Sequence, residues 1–220
     1  MIPTTVFVAG GSGYIGRCLI PSLLERNLKV KALVRPGSEG KIPAGCLKVS
    51  GNALDRNTYQ DSIQPSDTFI HLVGVSHPSP SKRNEFQRVD YRSAIEAIEA
   101  AKFSGVGHFI YVSVAHPAPI MREYIEVRVS VEEYLQNSGL RATILRPWYV
   151  TGPGHRWPLL MLPFYKLAEK IPATRERALR LGLVTLQQMT NAILYAVETP
   201  PGDRLEIMAV ADIRGSHPRS

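Results

Sequence analysis

The chain has little cysteine and no long apolar run. Of its 220 residues only Cys18 and Cys46 are cysteines, which excludes a disulfide framework and a cysteine-rich metal site. No segment approaches the roughly 20 consecutive apolar residues that a membrane-spanning helix requires. The first residues, MIPTTVFVAGG, lack the basic region, apolar core and cleavage site of a signal peptide. We therefore expect a protein of a reducing, cytoplasmic compartment.

Composition predicts one globular domain over residues 1–220. Hydrophobic residues make up 44% and charged residues 20% of the chain, as in soluble proteins. A chain of this length suffices for one substantial α/β domain but not for two of ordinary size. The net charge of +7 would attract polyanions, but basic and acidic residues are interleaved along the chain. We therefore expect no nucleic-acid partner.

Strand-like and helix-like segments alternate along the first two thirds of the chain. The predicted strands are 4–9, 29–34, 47–50, 68–73, 106–114 and 142–145, and the predicted helices are 15–26, 84–104 and 120–137. Alternation with short connections indicates an α/β protein with a Rossmann-type, doubly wound parallel sheet. After Pro147 the pattern changes to glycine and proline punctuation, a helix over 186–198 and a last strand over 204–210. We expect residues 148–203 to form a small C-terminal substrate lobe on the same core.

A glycine-rich turn separates the first predicted strand from the first predicted helix. Gly10 allows a sharp turn, Gly13 lets backbone N–H groups approach a pyrophosphate, and Gly16 lets the helix pack closely on the sheet. The N-terminus of the helix adds partial positive charge and unsatisfied donors. We predict that the turn binds the pyrophosphate of a dinucleotide through Gly10, Gly11, Ser12, Gly13, Tyr14, Ile15 and Gly16.

Arg35 predicts which dinucleotide binds. An NAD-preferring site places an acidic residue at the end of the second strand, on the ribose 2′-hydroxyl. This chain has Arg35 there, and a guanidinium binds phosphate through two parallel charge-assisted hydrogen bonds. We therefore expect NADP rather than NAD.

These segments resemble a known family when they are taken together in order. The turn at 10–16 is followed by NALD at 52–55, HLVG at 71–74, VDY at 89–91, VGHFIYVS at 106–113, NSG at 137–139, LRP at 145–147 and TGP at 151–153. The set resembles the atypical branch of the short-chain dehydrogenase/reductase superfamily, whose members are called NmrA-like or epimerase/dehydratase-like. The resemblance covers residues 4–153 and is more specific for the fold than for a reaction.

The resemblance also implies where the cofactor lies. The adenine would lie near Asn52, Ala53 and Leu54, and the ribose on the nicotinamide side near Val73 and Gly74. This placement agrees with the binding of ligands across the carboxyl ends of the strands in open α/β sheets. The residues implied at the nicotinamide itself are Pro147, Trp148, Tyr149 and Val150.

A catalytic site is implied at Ser113, Tyr124 and Arg128. In the superfamily the serine polarises the substrate oxygen, the tyrosine acts as acid/base, and a lysine four residues later lowers the pKa of the tyrosine. This chain has the spacing of four but carries Arg128 in place of lysine, and arginine supplies charge without the geometry of an ammonium. Three alternatives stay open: a working catalytic site, cofactor binding without hydride transfer, and a purely structural tyrosine and arginine.

The remaining candidates carry weaker signals. We expect His71 to be structural, and His77, His116 and His155 to lie in loops that form pocket walls. The histidines share no metal-ligand spacing with Asp, Glu or Cys, so we expect no metal. The aromatic residues Trp148, Tyr149 and Trp157 form a pocket for a flat substrate or pack in the core. The apolar segment 157–171 is expected to pack as core or lid, the alternative being contact with a membrane surface or a partner.

We therefore expect an NADP(H)-dependent oxidoreductase that acts on a small, apolar carbonyl, enone or quinone-like molecule. The alternative is a non-catalytic NADP(H)-sensing regulatory or assembly protein. Arg128 keeps both alternatives open because it replaces the lysine on which the familiar chemistry depends.

Overall fold

A computed structural model describes residues 4–75, 78–118, 121–154, 181–202 and 204–218. The segment 157–171 and the candidates His77, His155 and Trp157 lie outside the described residues. In chain order the principal elements are β1 (Thr5–Ala9), α1 (Gly16–Glu25), β2 (Lys29–Val34), β3 (Leu47–Ser50), β4 (Thr68–His71), α2 (Arg92–Phe103), β5 (His108–Val112), α3 (Arg122–Asn137), β6 (Ala142–Leu145), β7 (Tyr149–Thr151), β8 (Leu183–Thr185), α4 (Leu186–Glu198), β9 (Leu205–Met208) and α5 (Val210–Gly215).

Within the described residues, seven strands form one sheet in the order β3-β2-β1-β4-β5-β6-β9. Every neighbouring pair in this sheet is parallel, which confirms the predicted Rossmann-type fold. β1 lies between β2 and β4, so the direction in which strands are added reverses there. A crevice for a ligand opens at such a switch point, outside the carboxyl ends of the strands.

Both faces of the sheet are covered, and the strands are apolar for that reason. All five residues of β1 are buried. Because side chains alternate along a strand, Val6 and Val8 join the core beneath α1 and α4, whereas Phe7 joins the core beneath α2 and α3. Phe7 pairs in register with Phe69, and Phe69 with Phe109. Their ring centroids are 5.0 and 5.2 Å apart, so the three rings tie three adjacent strands together.

The helix predicted over 84–104 is regular only in its second half. A single helical turn, Arg83–Glu85, leads into a π-helical stretch, Phe86–Tyr91, and α2 follows from Arg92. Both Phe86 and Asp90 are buried. A π-helical turn is often found at a functional site, and this one turns Phe86 and Asp90 towards the carboxyl edge of the sheet.

The described part of the expected substrate lobe contains a second, two-stranded sheet. β7 pairs with β8 in parallel, and α4 follows β8 directly. Residues 155–180 lie outside the described residues, so the boundaries of the lobe remain a prediction. No helix in the described ranges is both long enough and apolar enough to cross a lipid bilayer.

We expect the start of α4 to depend on a reciprocal cap. The Thr185 hydroxyl accepts from the Gln188 backbone N–H at 3.1 Å, and the Gln188 side chain accepts from the Thr185 N–H at 2.9 Å. Thr185→Ala should lower the free energy of unfolding by about 1 kcal/mol, measured by urea denaturation. Thr185→Ser keeps the hydroxyl and is the matched control; an equal loss in both variants would contradict this origin.

Candidate functional site

The glycine turn packs so closely that side chains would not fit at two of its positions. Gly10 has φ +90°, and an ideal Cβ there would lie 2.8 Å from the carbonyl carbon of Leu72. A Cβ on Gly16 would lie 2.6 Å from the Gly10 carbonyl oxygen. Gly13 is exposed, and a Cβ there would meet only the Gly10 oxygen, at 3.1 Å. The turn therefore presents bare backbone at the carboxyl end of β1.

A cleft of about 310 Å³ opens beside this turn, at the carboxyl ends of β1, β4, β5 and β6. It brings together all of the residues predicted for the nicotinamide half of the cofactor and all three predicted catalytic residues. The predicted residues in its wall are Gly10, Gly13, Tyr14, Ile15, Val73, Gly74, Ser113, Tyr124, Arg128, Pro147, Trp148, Tyr149 and Val150. Leu72, Val75, Pro78, Val112 and Val114 complete the wall and are all apolar.

The other predicted cofactor residues lie outside this wall. Gly11 and Gly16 are buried behind the turn. Arg35 is exposed directly after β2, and the exposed Asn52 follows β3, which pairs with β2. The Asn52 side chain accepts the backbone N–H of Leu54 at 3.1 Å. The remaining members of this set are Ser12 and Ala53, which are partly exposed.

Ser113 belongs to a polar network that the sequence did not predict. Its hydroxyl donates to Glu132 on α3, and both residues are buried. Arg146 donates from Nε to both carboxylate oxygens of Glu132, at 3.1 Å each, and again from its Nη2 atom. His116 Nε2 lies 3.4 Å from the same carboxylate. His116 was expected in a pocket wall, but it does not line this cleft and lies behind it, against Glu132.

The network determines whether the Ser113 hydroxyl donates or accepts a hydrogen bond in the cleft. A hydroxyl group has one proton and two lone pairs, and Ser113 gives its proton to Glu132. Ser113 therefore faces the cleft with acceptor lone pairs. A serine that polarises a carbonyl oxygen would have to face the cleft as a donor.

Arg128 is enclosed by groups that accept hydrogen bonds from its guanidinium. Its Nη2 atom donates to Asp90, and its Nη1 atom donates to the Val112 carbonyl at 2.9 Å and the Tyr111 hydroxyl at 3.3 Å. The guanidinium carbon also lies 5.1 Å from the ring centroid of Tyr124, within the range of a cation–π contact. Arg128 is only 6% exposed, so its charge interacts mainly with groups of the protein itself.

Asp90 is fully buried as the ion-pair partner of Arg128. Its second carboxylate oxygen accepts the Val75 N–H at 3.1 Å. Burial raises the pKa of Asp90, and the Arg128 guanidinium opposes that shift. A Cβ on Gly74 would lie 2.5 Å from Arg128 Nη2 and 2.9 Å from Asp90 Oδ1. The glycine predicted for the ribose therefore also makes room for the ion pair.

Tyr124 forms part of the cleft wall between Phe86 and Arg128. The Phe86 ring meets the Tyr124 ring edge-on, with centroids 5.1 Å apart and planes at 61°. Burial raises the pKa of Tyr124, the charge of Arg128 lowers it, the charge of Asp90 raises it, and a hydrogen bond from Arg128 lowers it further. Arg128 thus acts on Tyr124 in the expected direction, but burial outweighs it and the tyrosine is stabilised as the neutral phenol.

Among the site residues that the sequence did not predict, Glu132 had a signal on α3. Tyr124, Arg128 and Glu132 recur at a spacing of four, which places all three on one helix face. Asp90 had no sequence signal beyond its place in the VDY motif, because its contact with Arg128 joins residues 38 positions apart.

His71 is 1% exposed beside the Tyr111 ring, and burial lowers its pKa to about 3. It is therefore neutral at physiological pH. Across the described segments no group of three or more His, Cys, Asp or Glu residues could hold a metal ion.

Comparison with known proteins places these features in a family. A model of the NAD(P)H-binding family matches residues 10–158. The ceramide reductase of Caulobacter vibrioides is 23% identical over 217 residues, covering 95% of this chain and 65% of the relative. The photosystem II assembly factor Ycf39 of Trieres chinensis is 27% identical over 149 residues, covering 64% and 44%. The chain thus spans less than two thirds of the length of either relative.

The fold is shared with solved structures. A short-chain dehydrogenase/reductase superfamily protein from Agrobacterium tumefaciens, solved with bound NAD, has a TM-score of 0.68 and 16% identity. The match covers 93% of this chain and 77% of that protein. Together with the family match, it confirms the resemblance found in the sequence.

We expect Glu132 to be the residue on which the Ser113 network depends. Glu132→Ala leaves the buried Ser113 hydroxyl and the Arg146 guanidinium without their acceptor. Loss of one partner from a buried pair costs about 3–5 kcal/mol, and the low end applies because the Arg146 side chain is 23% exposed. Chemical denaturation should show a loss of about 3 kcal/mol.

Glu133→Ala is the matched control for this substitution, because the neighbouring Glu133 is exposed on the same helix. It should change stability by less than about 0.5 kcal/mol. Equal effects of the two variants would contradict a dominant role for the Glu132 network.

Proposed function

Because the chain belongs to the NAD(P)H-binding family, we propose that it is an NADP(H)-dependent reductase that acts on a small, apolar carbonyl, enone or quinone-like compound. The observation that carries the proposal is the position of Tyr124. Its side chain lines the same cleft as the glycine turn, and the rest of the wall is largely apolar. A proton-donating group thus stands beside the place where the nicotinamide of a bound dinucleotide would lie.

The residues present fit a dinucleotide. Gly10 and Gly16 let the turn pack closely, and the exposed Gly13 leaves its backbone open to a pyrophosphate. In this proposal the adenine lies near Asn52, Ala53 and Leu54, and the nicotinamide near 147–150. Arg35 is exposed at the end of β2 and binds the 2′-phosphate of NADP.

The chemistry is a reduction assisted by a proton donor. When bound, the reduced nicotinamide supplies a hydride to the substrate. Tyr124 donates a proton to the substrate oxygen as negative charge develops there. Ser113 holds a donor group of the substrate or cofactor, because its own proton is committed to Glu132. The apolar wall excludes water from the reacting atoms.

A second candidate function is a non-catalytic NADP(H) sensor or assembly factor. It is supported by the enclosure of Arg128, whose guanidinium is held by Asp90, Tyr111 and Val112. The relative named as a photosystem II assembly factor adds to this support. In this alternative the same cleft binds the cofactor but does not turn it over.

Three further expectations belong to the same proposal. We place the protein in the cytoplasm and treat residues 1–220 as one domain with 148–203 as its substrate lobe. In this proposal the partner is a small molecule rather than a nucleic acid or membrane.

Removal of Arg35 should separate the two cofactors. Arg35→Ala deletes the guanidinium proposed to bind the 2′-phosphate, a charge-assisted contact worth about 1.5–3 kcal/mol. The Kd for NADPH, followed by its fluorescence, should rise by about 10- to 100-fold, whereas the Kd for NADH should stay the same.

Lys29→Ala is the control for Arg35→Ala, because Lys29 is exposed at the opposite end of the same strand. It should leave both Kd values unchanged. Tighter binding of NADH than NADPH by the unaltered protein would overturn the preference for NADP.

Tyr124→Phe should separate catalysis from cofactor binding. NADPH oxidation is measured against a panel of quinones, aldehydes and enones. The variant should lose about 10²- to 10⁴-fold in kcat, the usual contribution of a positioned acid, while NADPH affinity stays within about twofold. Tyr134→Phe, on an exposed position of the same helix, should retain full turnover.

The outcomes of that assay distinguish the two candidate functions. Turnover that is indifferent to Tyr124→Phe refutes the catalytic assignment. NADPH binding with no turnover across the whole panel favours the sensor or assembly factor.

A further inference from the structure

We propose that Asp90 is a positioning residue that cancels the charge of Arg128 beside Tyr124, so that the tyrosine keeps its proton and acts as a proton donor. The role of Tyr124 as a donor to a substrate rests on the proposed function. The charge cancellation itself does not, because it concerns only the side chains of this chain.

The geometry places one negative and one positive charge together behind the tyrosine. Asp90 and Arg128 form an ion pair with side-chain exposures of 0% and 7%. Both oxygens of Asp90 accept hydrogen bonds, one from Arg128 and one from the Val75 N–H. Acceptance at both oxygens is the arrangement of an ionised carboxylate, so the pair is neutral as a whole.

Among the described residues, the charged groups that act on Tyr124 are Arg128 and Asp90. The groups that face it are Arg128 on α3, Asp90 and the Phe86 ring on the π-helical stretch, and Tyr111 on β5. Burial raises the pKa of Tyr111 to about 12, so this residue is also a neutral phenol. His71 lies behind Tyr111 and is neutral.

An uncompensated cation four residues along the helix would favour the phenolate of Tyr124. Here the carboxylate of Asp90 opposes the guanidinium, and burial disfavours any charge on the phenol. The pKa of Tyr124 is accordingly raised, with burial as the largest cause. The tyrosine therefore holds its proton at neutral pH.

The protonation state decides whether Tyr124 starts as a proton donor or as a proton acceptor. In reduction, the phenol O–H bond breaks and its proton goes to the substrate oxygen, while the hydride forms the new C–H bond. The phenolate left on Tyr124 then takes a proton from water, so each turnover consumes one proton. Alcohol oxidation needs the phenolate at the start to accept the hydroxyl proton, and that form is scarce at neutral pH.

The test is a titration of Tyr124 in the full chain without cofactor. The tyrosines are labelled with ¹³C at Cζ, and the Tyr124 signal is identified by its absence in Tyr124→Phe. In the unaltered protein this signal should not titrate below pH 10, about the ordinary value for tyrosine. In Asp90→Asn the midpoint should fall by at least about one pH unit, a tenfold change in the ionisation constant.

A double variant keeps the test decisive if Asp90→Asn does not fold, since that substitution leaves a buried guanidinium without its partner. Asp90→Asn/Arg128→Gln removes both charges, and its midpoint should lie within about half a unit of the unaltered protein. A midpoint well above that of the unaltered protein would mean that Arg128 had been lowering it uncompensated, and would overturn the proposal. An unchanged midpoint in a folded Asp90→Asn would overturn it as well.

Failure of this inference is distinguishable from failure of the proposed function. Absence of NADPH turnover leaves the titration result intact and refutes only the reductase. Where turnover is found, the pH above which kcat for carbonyl reduction falls should be lower in Asp90→Asn than in the unaltered protein, because Tyr124 loses its proton at lower pH. An unchanged pH profile, together with a shifted midpoint, would retain the charge cancellation and reject its role in proton donation.

Discussion

The candidate site depends on close backbone approach at the carboxyl ends of β1 and β4. Gly10 lies against Leu72, Gly16 against Gly10, and Gly74 against the Asp90–Arg128 pair, each at a distance that leaves no space for a Cβ. The first two contacts set how α1 meets the sheet, and the third lets a buried ion pair reach the cleft wall. Side chains at these positions would push apart the elements that line the cleft. The bare backbone is thus the condition for both the proposed cofactor site and the charges behind it.

The second constraint is electrostatic and is carried by α3. The helix presents Tyr124, Arg128 and Glu132 on one face, and each of the two charged residues has an opposite charge from another element. Arg128 meets Asp90, and Glu132 meets Arg146. Removing charges from water is costly unless geometry and hydrogen bonds compensate, and in both pairs additional hydrogen bonds do so, from Arg128 to the Val112 carbonyl and from Ser113 to Glu132. Such pairs are therefore better understood as fixing the position of α3 against the sheet than as a large source of stability.

Much of the fold could be predicted from the sequence because its signals are local. β2, β3, β6 and α4 have the predicted bounds, since apolar runs and helical periodicity reflect burial directly. The π-helical stretch Phe86–Tyr91 could not be predicted in this way, because tertiary contacts of Phe86 and Asp90 decide it. The same limit applies to the site. The glycine spacing and the spacing of four on α3 are visible in the sequence, whereas the partners Asp90 and Arg146 are brought in by the topology of the sheet.

Arg128 shows why the chemistry of a motif residue depends on partners distant in the sequence. Considered with Tyr124 alone, a cation four residues along a helix favours the phenolate. Considered with Asp90, Tyr111 and Val112, the same cation is neutralised and hydrogen-bonded. Glu132 acts in the same way on Ser113, because it takes the hydroxyl proton and turns the lone pairs towards the cleft. Two buried carboxylates, each balanced by an arginine, thus give two hydroxyl groups in one cleft opposite roles: Tyr124 is held as a donor and Ser113 as an acceptor.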